Sequence, residues 1–183
     1  MRISSFHDLN GERKNQILVV VDRAGRPLGL ASRQQCHSGT GKPHLAFMAL
    51  ILDKGGNIVL TRRSKGKSLW GGFWDGSVVS HVLPGETPEK AAQRRGREEM
   101  GVDIKFTDIG AFYYFAKFKD GAENEFCHVL LGKSDIEIQP NPVEIEDTKK
   151  ILPADLRKDI QKNPDSYTPW LKLAFEKINI KPV

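Results

Sequence analysis

Carboxylates are densest in one short stretch of this chain. Glu86, Arg94, Glu98 and Glu99 surround a helix-start signature, Thr87 as N-cap and Pro88 at the first helical position, and Gly101 supplies the stop. The spacing predicts a helix of about four turns, on which Arg95 and Glu99, four residues apart, share a face. Carboxylates at this density invite a divalent cation: Mg²⁺ takes oxygen ligands, keeps several waters, and bridges one or two protein acids to substrate phosphates. The same composition also describes a solvated charged face. His37, His44, His81, Glu123 and Glu125 are five further potential ligands from separate parts of the chain. Imidazole plus carboxylate suits Mn²⁺, Zn²⁺ or Mg²⁺, although a lone histidine is more often a satisfied core or surface residue.

The elements that must position these groups are legible from patterning. Residues 16–21 and 44–52 are apolar, β-branched runs followed by turn signals, Ala24-Gly25 and Lys54-Gly55-Gly56, and read as strands. Residues 58–62 follow closely enough to close a hairpin with the second. Between Ser64 and Pro84, glycines at 66, 71, 72 and 76 and tryptophans at 70 and 74 read as a shaped loop region rather than a packed element. The carboxylate helix contains Ala91, Ala92 and Gly96 but almost no large apolar residue, so it packs by close approach instead of through a leucine stripe. Residues 104–118 and 125–131 read as strands, and residues 153–162 and 168–178 as helices. No internal repeat is present. A single α/β domain over residues 1–183 is expected, its motif-bearing part spanning roughly residues 33–170.

Glu86, seven intervening residues, Arg94, then Glu98-Glu99, Met100, Gly101 and Val102 resemble the Nudix box G-x5-E-x7-R-E-U-x-E-E-x-G-U. That resemblance implies an α/β/α sandwich with a mixed β-sheet, metal ligands presented by the helix, and a structural ion pair between Glu86 and Arg94. Three positions depart from the box: Ser80 stands in the opening glycine slot, Gly96 in the aliphatic slot, and Arg95 in place of a glutamate that commonly binds metal in Nudix hydrolases. Residues 37–47, 74–86 and 123–127 further resemble type I isopentenyl diphosphate isomerases, through His-Leu-Ala-Phe at 44–47, Thr-Arg-Arg at 61–63 and Glu-Asn-Glu at 123–125.

The second resemblance implies that His37, His44, His81, Glu123 and Glu125 hold one metal ion, with Glu99 as a ligand for Mg²⁺. It also implies that Arg95, Arg33, Arg63 and Lys67 contact the substrate diphosphate. Guanidinium forks, an ammonium and a bridging cation suit that charge. Trp170 and Tyr114 match aromatic positions near the family's active site, where an indole face can stabilise a carbocation, and either could equally be core packing. Isomerising an unactivated alkene requires proton addition at one face and removal at the other. Glu125 matches the family's glutamate, but Val79 occupies its cysteine position and carries no proton. Ser77 and Ser80 are no simple replacement, since Ser80 is expected to point the other way on an extended segment.

With 39% hydrophobic and 28% charged residues the chain can build a core and lacks the signature of disorder. Its net charge of +5 suits an anionic partner, yet the bases are dispersed and no nucleic-acid module is recognisable, so a small diphosphate is expected and nucleic acid is not. Residues 1–14 lack an apolar h-region, and no stretch approaches the ~18 uninterrupted apolar residues of a membrane span, so a cytoplasmic protein without membrane partner is expected. Cys36 and Cys127 read as reduced thiols. The expected function is a metal-dependent isomerase-type Nudix enzyme, monomer or homodimer, with activity compromised at Val79. The alternatives are a Nudix hydrolase of small organic or nucleoside diphosphates, in which Glu98 and Glu99 serve Mg²⁺ and water activation, and a non-catalytic diphosphate-binding protein.

Overall fold

The computed structural model describes residue 13 and residues 15–180; the rest of the N-terminal stretch, read above for its lack of an apolar segment, lies outside the described residues. The described strands are β1 (Ile17–Val21), β2 (Pro27–Ser32), β3 (His44–Leu52), β4 (Ile58–Arg63), β5 (Trp74–Asp75), β6 (Val78–His81), β7 (Phe106–Phe118), β8 (Gly121–Lys133) and β9 (Ile145–Ile151). The α-helices are α1 (Arg33–His37), α2 (Pro88–Met100), α3 (Pro153–Lys162) and α4 (Pro169–Lys177).

All nine strands form one mixed sheet organised on β3. β8 runs parallel to it, from His44↔Glu125 to Leu52↔Lys133, while β1, β4 and β6 pair with it antiparallel. Successive side chains on a strand alternate faces, and β3 is apolar on both. Met48, Leu50 and Leu52 pack with Leu156 of α3 and with Trp170, Leu171, Ala174 and Phe175 of α4. Phe47, Ala49 and Ile51 pack with Ala91, Ala92 and Met100 of α2. The product is a sheet covered by helices on both faces, an α/β/α sandwich.

α2 forms where its signals placed it. Thr87 Oγ1 accepts a hydrogen bond from the Lys90 N–H at 3.3 Å, and Gly101 adopts the left-handed conformation, φ 67°, that ends the helix. Close approach through small residues is also borne out: a Cβ at Gly96 would stand 3.3 Å from the Val102 carbonyl oxygen.

The loop expected between Ser64 and Pro84 is instead interrupted by β5 and β6. These short strands owe their form to their partners, Thr61↔Asp75 on β4 and Ala46↔His81 on β3, and not to any periodicity of their own. The patterning also passed over β2, α1 and β9. β2 holds Pro27 and Gly29 and is exposed along most of its length; α1 is five residues held by a Ser32–Gln35 capping box; β9 is polar and docks on β4 over Ile58↔Ile151 to Arg63↔Ile145. No helix among the described residues is long and apolar enough to cross a membrane.

Leu50 sits at the centre of β3 with no exposed surface. Leu50→Ala is expected to lower unfolding free energy by about 2–5 kcal/mol in a urea titration, from lost transfer energy plus a cavity that the sheet cannot close. A change under about 1 kcal/mol would contradict the central placement of this strand.

Candidate active site

Four elements bring the five expected metal ligands together. His37 ends α1, His44 opens β3, His81 closes β6, and Glu123 and Glu125 lie two apart on β8, hence on one face. Their donor atoms all lie within 4.8 Å of one another, and the imidazole centroids form a triangle with sides of 4.7, 5.0 and 5.0 Å. Nδ1–H of His37 donates to the Arg33 carbonyl at 2.7 Å and Nδ1–H of His44 to the Lys42 carbonyl at 2.8 Å. Those bonds fix the tautomers and turn the Nε2 lone pairs inward, as metal-ligating histidines are normally held. His37 Nε2 then faces Glu123 Oε2 at 3.1 Å, and His44 Nε2 faces Glu125 Oε1 at 3.3 Å. Lone pairs so opposed need a proton or a cation between them. His44 Nε2, His81 Nδ1 and Glu123 Oε2 are buried without a hydrogen-bond partner, so this donor set fits a divalent cation.

The electrostatics agree. Burial, assisted by the cations Arg33 and Arg95, pushes His81 well below the usual imidazole range, which leaves it neutral and able to ligate. Burial opposes a charge on His37, but Glu123 outweighs it and raises the imidazole. Burial also opposes ionisation of Glu123, and His37 overcomes this to hold the carboxyl at about 2. Glu125 goes the other way: burial and the Glu123 charge raise it. Tyr114 donates its O–H to Glu125 Oε2. Burial and that carboxylate raise the phenol well above its normal range, so it remains a donor.

The expected diphosphate-binding residues converge on the same place. Arg33, Arg63, Lys67, Arg95, Tyr114 and Trp170 line one narrow polar cleft with Val79, Ser80, His81, Glu123 and Glu125. Ser80 borders the cleft by position, and on β6 it lies opposite Phe47, whose side chain packs toward α2, whereas Val79 lies opposite Met48 on the face of Tyr114 and Trp170; its side chain thus turns away as the extended segment implies. A smaller recess behind Val79 shares Arg63 and Lys67 and adds Asp75, Glu99 and Glu144, while an outer cleft of about 350 Å³ opens past Arg33, Leu69 and Phe118. Tyr114 and Trp170 line the cleft and also belong to the core beneath it.

The cations do not stand alone. Arg63 Nη1 donates to Asp75 Oδ2 at 3.0 Å, Lys67 pairs with Glu144, and Arg95 reaches Glu98, Glu99 and Glu144. Burial raises Glu99, with the neighbouring Glu144 charge adding to it against Arg95. Burial would raise Glu144 too, but Lys67 and Arg95 depress it to about 2. The implied Glu86–Arg94 pair is present as a two-pronged contact of 2.6 and 2.9 Å. Glu98 lies apart from the cleft walls, about one third exposed and held by Arg13, Arg94 and Arg95. Asp75 and Glu144 also belong to the site, and the sequence pattern points to neither. No spacing marks either one, and only strand pairing and the turn before β9 bring them to the site.

Two outcomes are expected from this geometry. Mn²⁺ or Zn²⁺ added to metal-stripped protein raises Tm, by the linkage that rewards binding to the folded state, and His81→Ala removes most of the rise; an undiminished rise in that variant would place the ion elsewhere. The folded-state value for Glu144 lies below the 4.5 of a free glutamate, so its ionised form stabilises the fold above that pH and the contribution is lost as pH falls from 4.5 toward about 2. Tm of the unaltered protein is thus expected to fall more steeply over that acid range than Tm of Glu144→Gln. Parallel curves would show that the carboxylate is not held as described.

Comparison with known proteins agrees with the architecture. The NUDIX domain pattern matches residues 42–171. The chain is 34% identical to an isopentenyl-diphosphate Delta-isomerase of Brevibacterium linens over 89% of its own length and 91% of the relative's. It is 35% identical to one from Klebsiella pneumoniae over 87% and 88% of the two chains. Among solved structures, DR0079 of Deinococcus radiodurans superposes with a TM-score of 0.73 at 22% identity, covering 90% of this chain and all of that one. A MutT NUDIX hydrolase of Burkholderia pseudomallei gives a TM-score of 0.60 at 23% identity over 75% and 99% of the two chains. These two likenesses establish the α/β/α fold. The chain belongs to the NUDIX domain family, and within it is an enzyme resembling the isopentenyl-diphosphate Delta-isomerases.

Proposed function

We propose that this protein is a metal-dependent enzyme of a small isoprenoid-like diphosphate, isomerising isopentenyl to dimethylallyl diphosphate. The observation that carries the reading is the meeting of Arg33, Arg63, Lys67 and Arg95 with the His/Glu cluster, Tyr114 and Trp170 in one cleft. His37, His44, His81, Glu123 and Glu125 would hold Mn²⁺, Zn²⁺ or Mg²⁺, and Glu99 would hold Mg²⁺ together with the diphosphate oxygens. Such cations supply charge neutralisation for the diphosphate and polarise the carboxylates beside it.

The chain's own groups account for the remaining requirements. Arg33, Arg63, Lys67 and Arg95 orient the anionic end through charge-assisted hydrogen bonds. Glu125, raised by burial and by Glu123, holds or removes a proton at Oε2, the oxygen that accepts from Tyr114. Trp170 and Tyr114, with ring centroids 6.0 Å apart, provide the π surface that faces a developing carbocation. Val79 carries no proton in the wall where the isomerase relatives are expected to place a cysteine, which makes the isomerisation slow. A second reading, hydrolysis of a small organic diphosphate, is favoured by the same Val79 together with Glu99 and Glu144 in the recess behind it.

The charge balance of the cleft has its own consequence. Asp75, Glu99 and Glu144 already answer Arg63, Lys67 and Arg95, so a diphosphate enters only with divalent cations to offset the carboxylates.

Incubation with isopentenyl diphosphate and Mg²⁺ in D₂O, followed by proton and phosphorus NMR, is expected to show deuterated dimethylallyl diphosphate without phosphate release. Phosphate release would transfer the assignment to hydrolysis, and inert substrate would count against both. Val79→Cys is expected to raise the isomerisation rate by about 10²-fold, the lower range of one general acid or base, and Glu99→Gln to remove Mg²⁺-dependent turnover with the fold intact. Chelation of divalent ions is expected to abolish diphosphate binding in calorimetry, and retention of binding would overturn the charge argument.

A further inference from the structure

Asp75 ends the two-residue strand β5 and is 1% exposed, and offsetting the charge of Arg63 is only part of what it does. Both of its oxygens are engaged. Oδ1 accepts from the Gly76 N–H at 2.8 Å, the Thr168 hydroxyl at 3.0 Å and the Trp170 indole N–H at 2.6 Å, and Oδ2 accepts from Arg63 Nη1 at 3.0 Å. A desolvated carboxylate costs several kcal/mol unless paired and hydrogen-bonded, so so complete a set of donors amounts to a rigid joint.

What the joint connects is informative. Thr168 is the N-cap residue of α4, but its side chain makes no capping bond to the helix, because the hydroxyl is spent on Asp75. The Thr168 N–H donates to the Trp74 carbonyl at 3.0 Å, and Tyr167 bridges Trp74, so the start of α4 is stitched to β5 by backbone as well. The Arg63 guanidinium lies 5.4 Å from the Trp170 ring centroid, and its Nε and Nη2 donate to the Leu69 carbonyl at 3.3 and 3.1 Å. Arg63 and Trp170 both face the cleft, whereas Asp75 stands behind them in the recess beyond Val79.

We infer that Asp75 is a positioning residue for the diphosphate cleft: its carboxylate locks Arg63 of β4 and Trp170 of α4 into a single unit, so that the last helix sets the aim of a substrate-binding guanidinium. The inference rests on the diphosphate reading given above. Arg63 has donors to spare beyond those held by Asp75 and Leu69, since a guanidinium carries five N–H groups, and Asp75 decides which way they point.

The test is binding of inorganic pyrophosphate with Mg²⁺ and Mn²⁺, by calorimetry, to the full chain and to Asp75→Asn, which keeps the shape but turns an amide toward Arg63. Asp75→Asn is expected to weaken pyrophosphate binding about tenfold to a hundredfold, the scale on which misplacement of a binding group acts, while binding of Mn²⁺ alone is unchanged and tryptophan emission shifts as the Trp170 indole loses a charged acceptor. In an Arg63→Ala background the same substitution is expected to add little, since both changes remove one interaction. Equal pyrophosphate affinity in Asp75→Asn, or a full additional loss in the Arg63→Ala background, overturns the inference and leaves the diphosphate reading standing. Absence of pyrophosphate binding by the unaltered protein overturns that reading and the inference with it. Should Asp75→Asn not fold, Thr168→Val, which removes one donor from the same oxygen, is expected to weaken pyrophosphate binding by about threefold, the low end of the scale of one hydrogen bond because Asp75 keeps its other donors; unchanged affinity there overturns the inference.

Discussion

Two carboxylates and the imidazoles of His44 and His81 are buried, with His37 half-buried beside them and all five donor atoms within 4.8 Å of one another, and every other part of this structure must tolerate that cluster. Taking such charges out of water costs several kcal/mol each unless a counter-charge and hydrogen bonds compensate. Backbone carbonyls at Arg33 and Lys42 orient two of the rings, and Tyr114 satisfies an oxygen of Glu125. The opposed lone pairs that remain are the physical reason this cluster fits a cation better than it fits an ordinary core.

Strand register meets that requirement. A ligand pair such as His44 and Glu125 is directly opposed only because β3 and β8 run parallel in one register, and a slip of one residue would turn Glu123 and Glu125 to the other face. Side-chain shape on β3 opposes that slip, since Phe47, Ala49 and Ile51 fit against α2 while Met48, Leu50 and Leu52 fit against α3 and α4. Core packing and ligand geometry therefore constrain each other through the same nine-residue strand.

The surrounding cleft is organised by compensation of charge. Arg95 replaces an acid of the Nudix box and is held by Glu99 and Glu144, so the departure converts part of the carboxylate face of α2 into a mixed cluster. Glu98 turns to the exposed side with Arg13 and Arg94. The acids that answer the cleft's cations thus come from three places instead of from one helix: Glu99 on α2, Asp75 on β5 and Glu144 just before β9.

The sequence by itself determined the helix and its caps, the long strands, and the identity of most groups in the site. The reason is local: Thr87, Pro88 and Gly101 act within a few residues of their own positions, the unbroken apolar run of β3 reflects two buried faces, and Glu86, just before the N-cap, lies close enough in sequence to turn back onto Arg94 of the helix that follows. Tertiary structure alone decided β5, β6 and β9, because short or polar strands exist only by virtue of the strand beside them. It also decided that Asp75 and Glu144, which no pattern marks, answer Arg63, Lys67 and Arg95, since opposite charges far apart in sequence are paired by the sheet that brings them together in the dry interior.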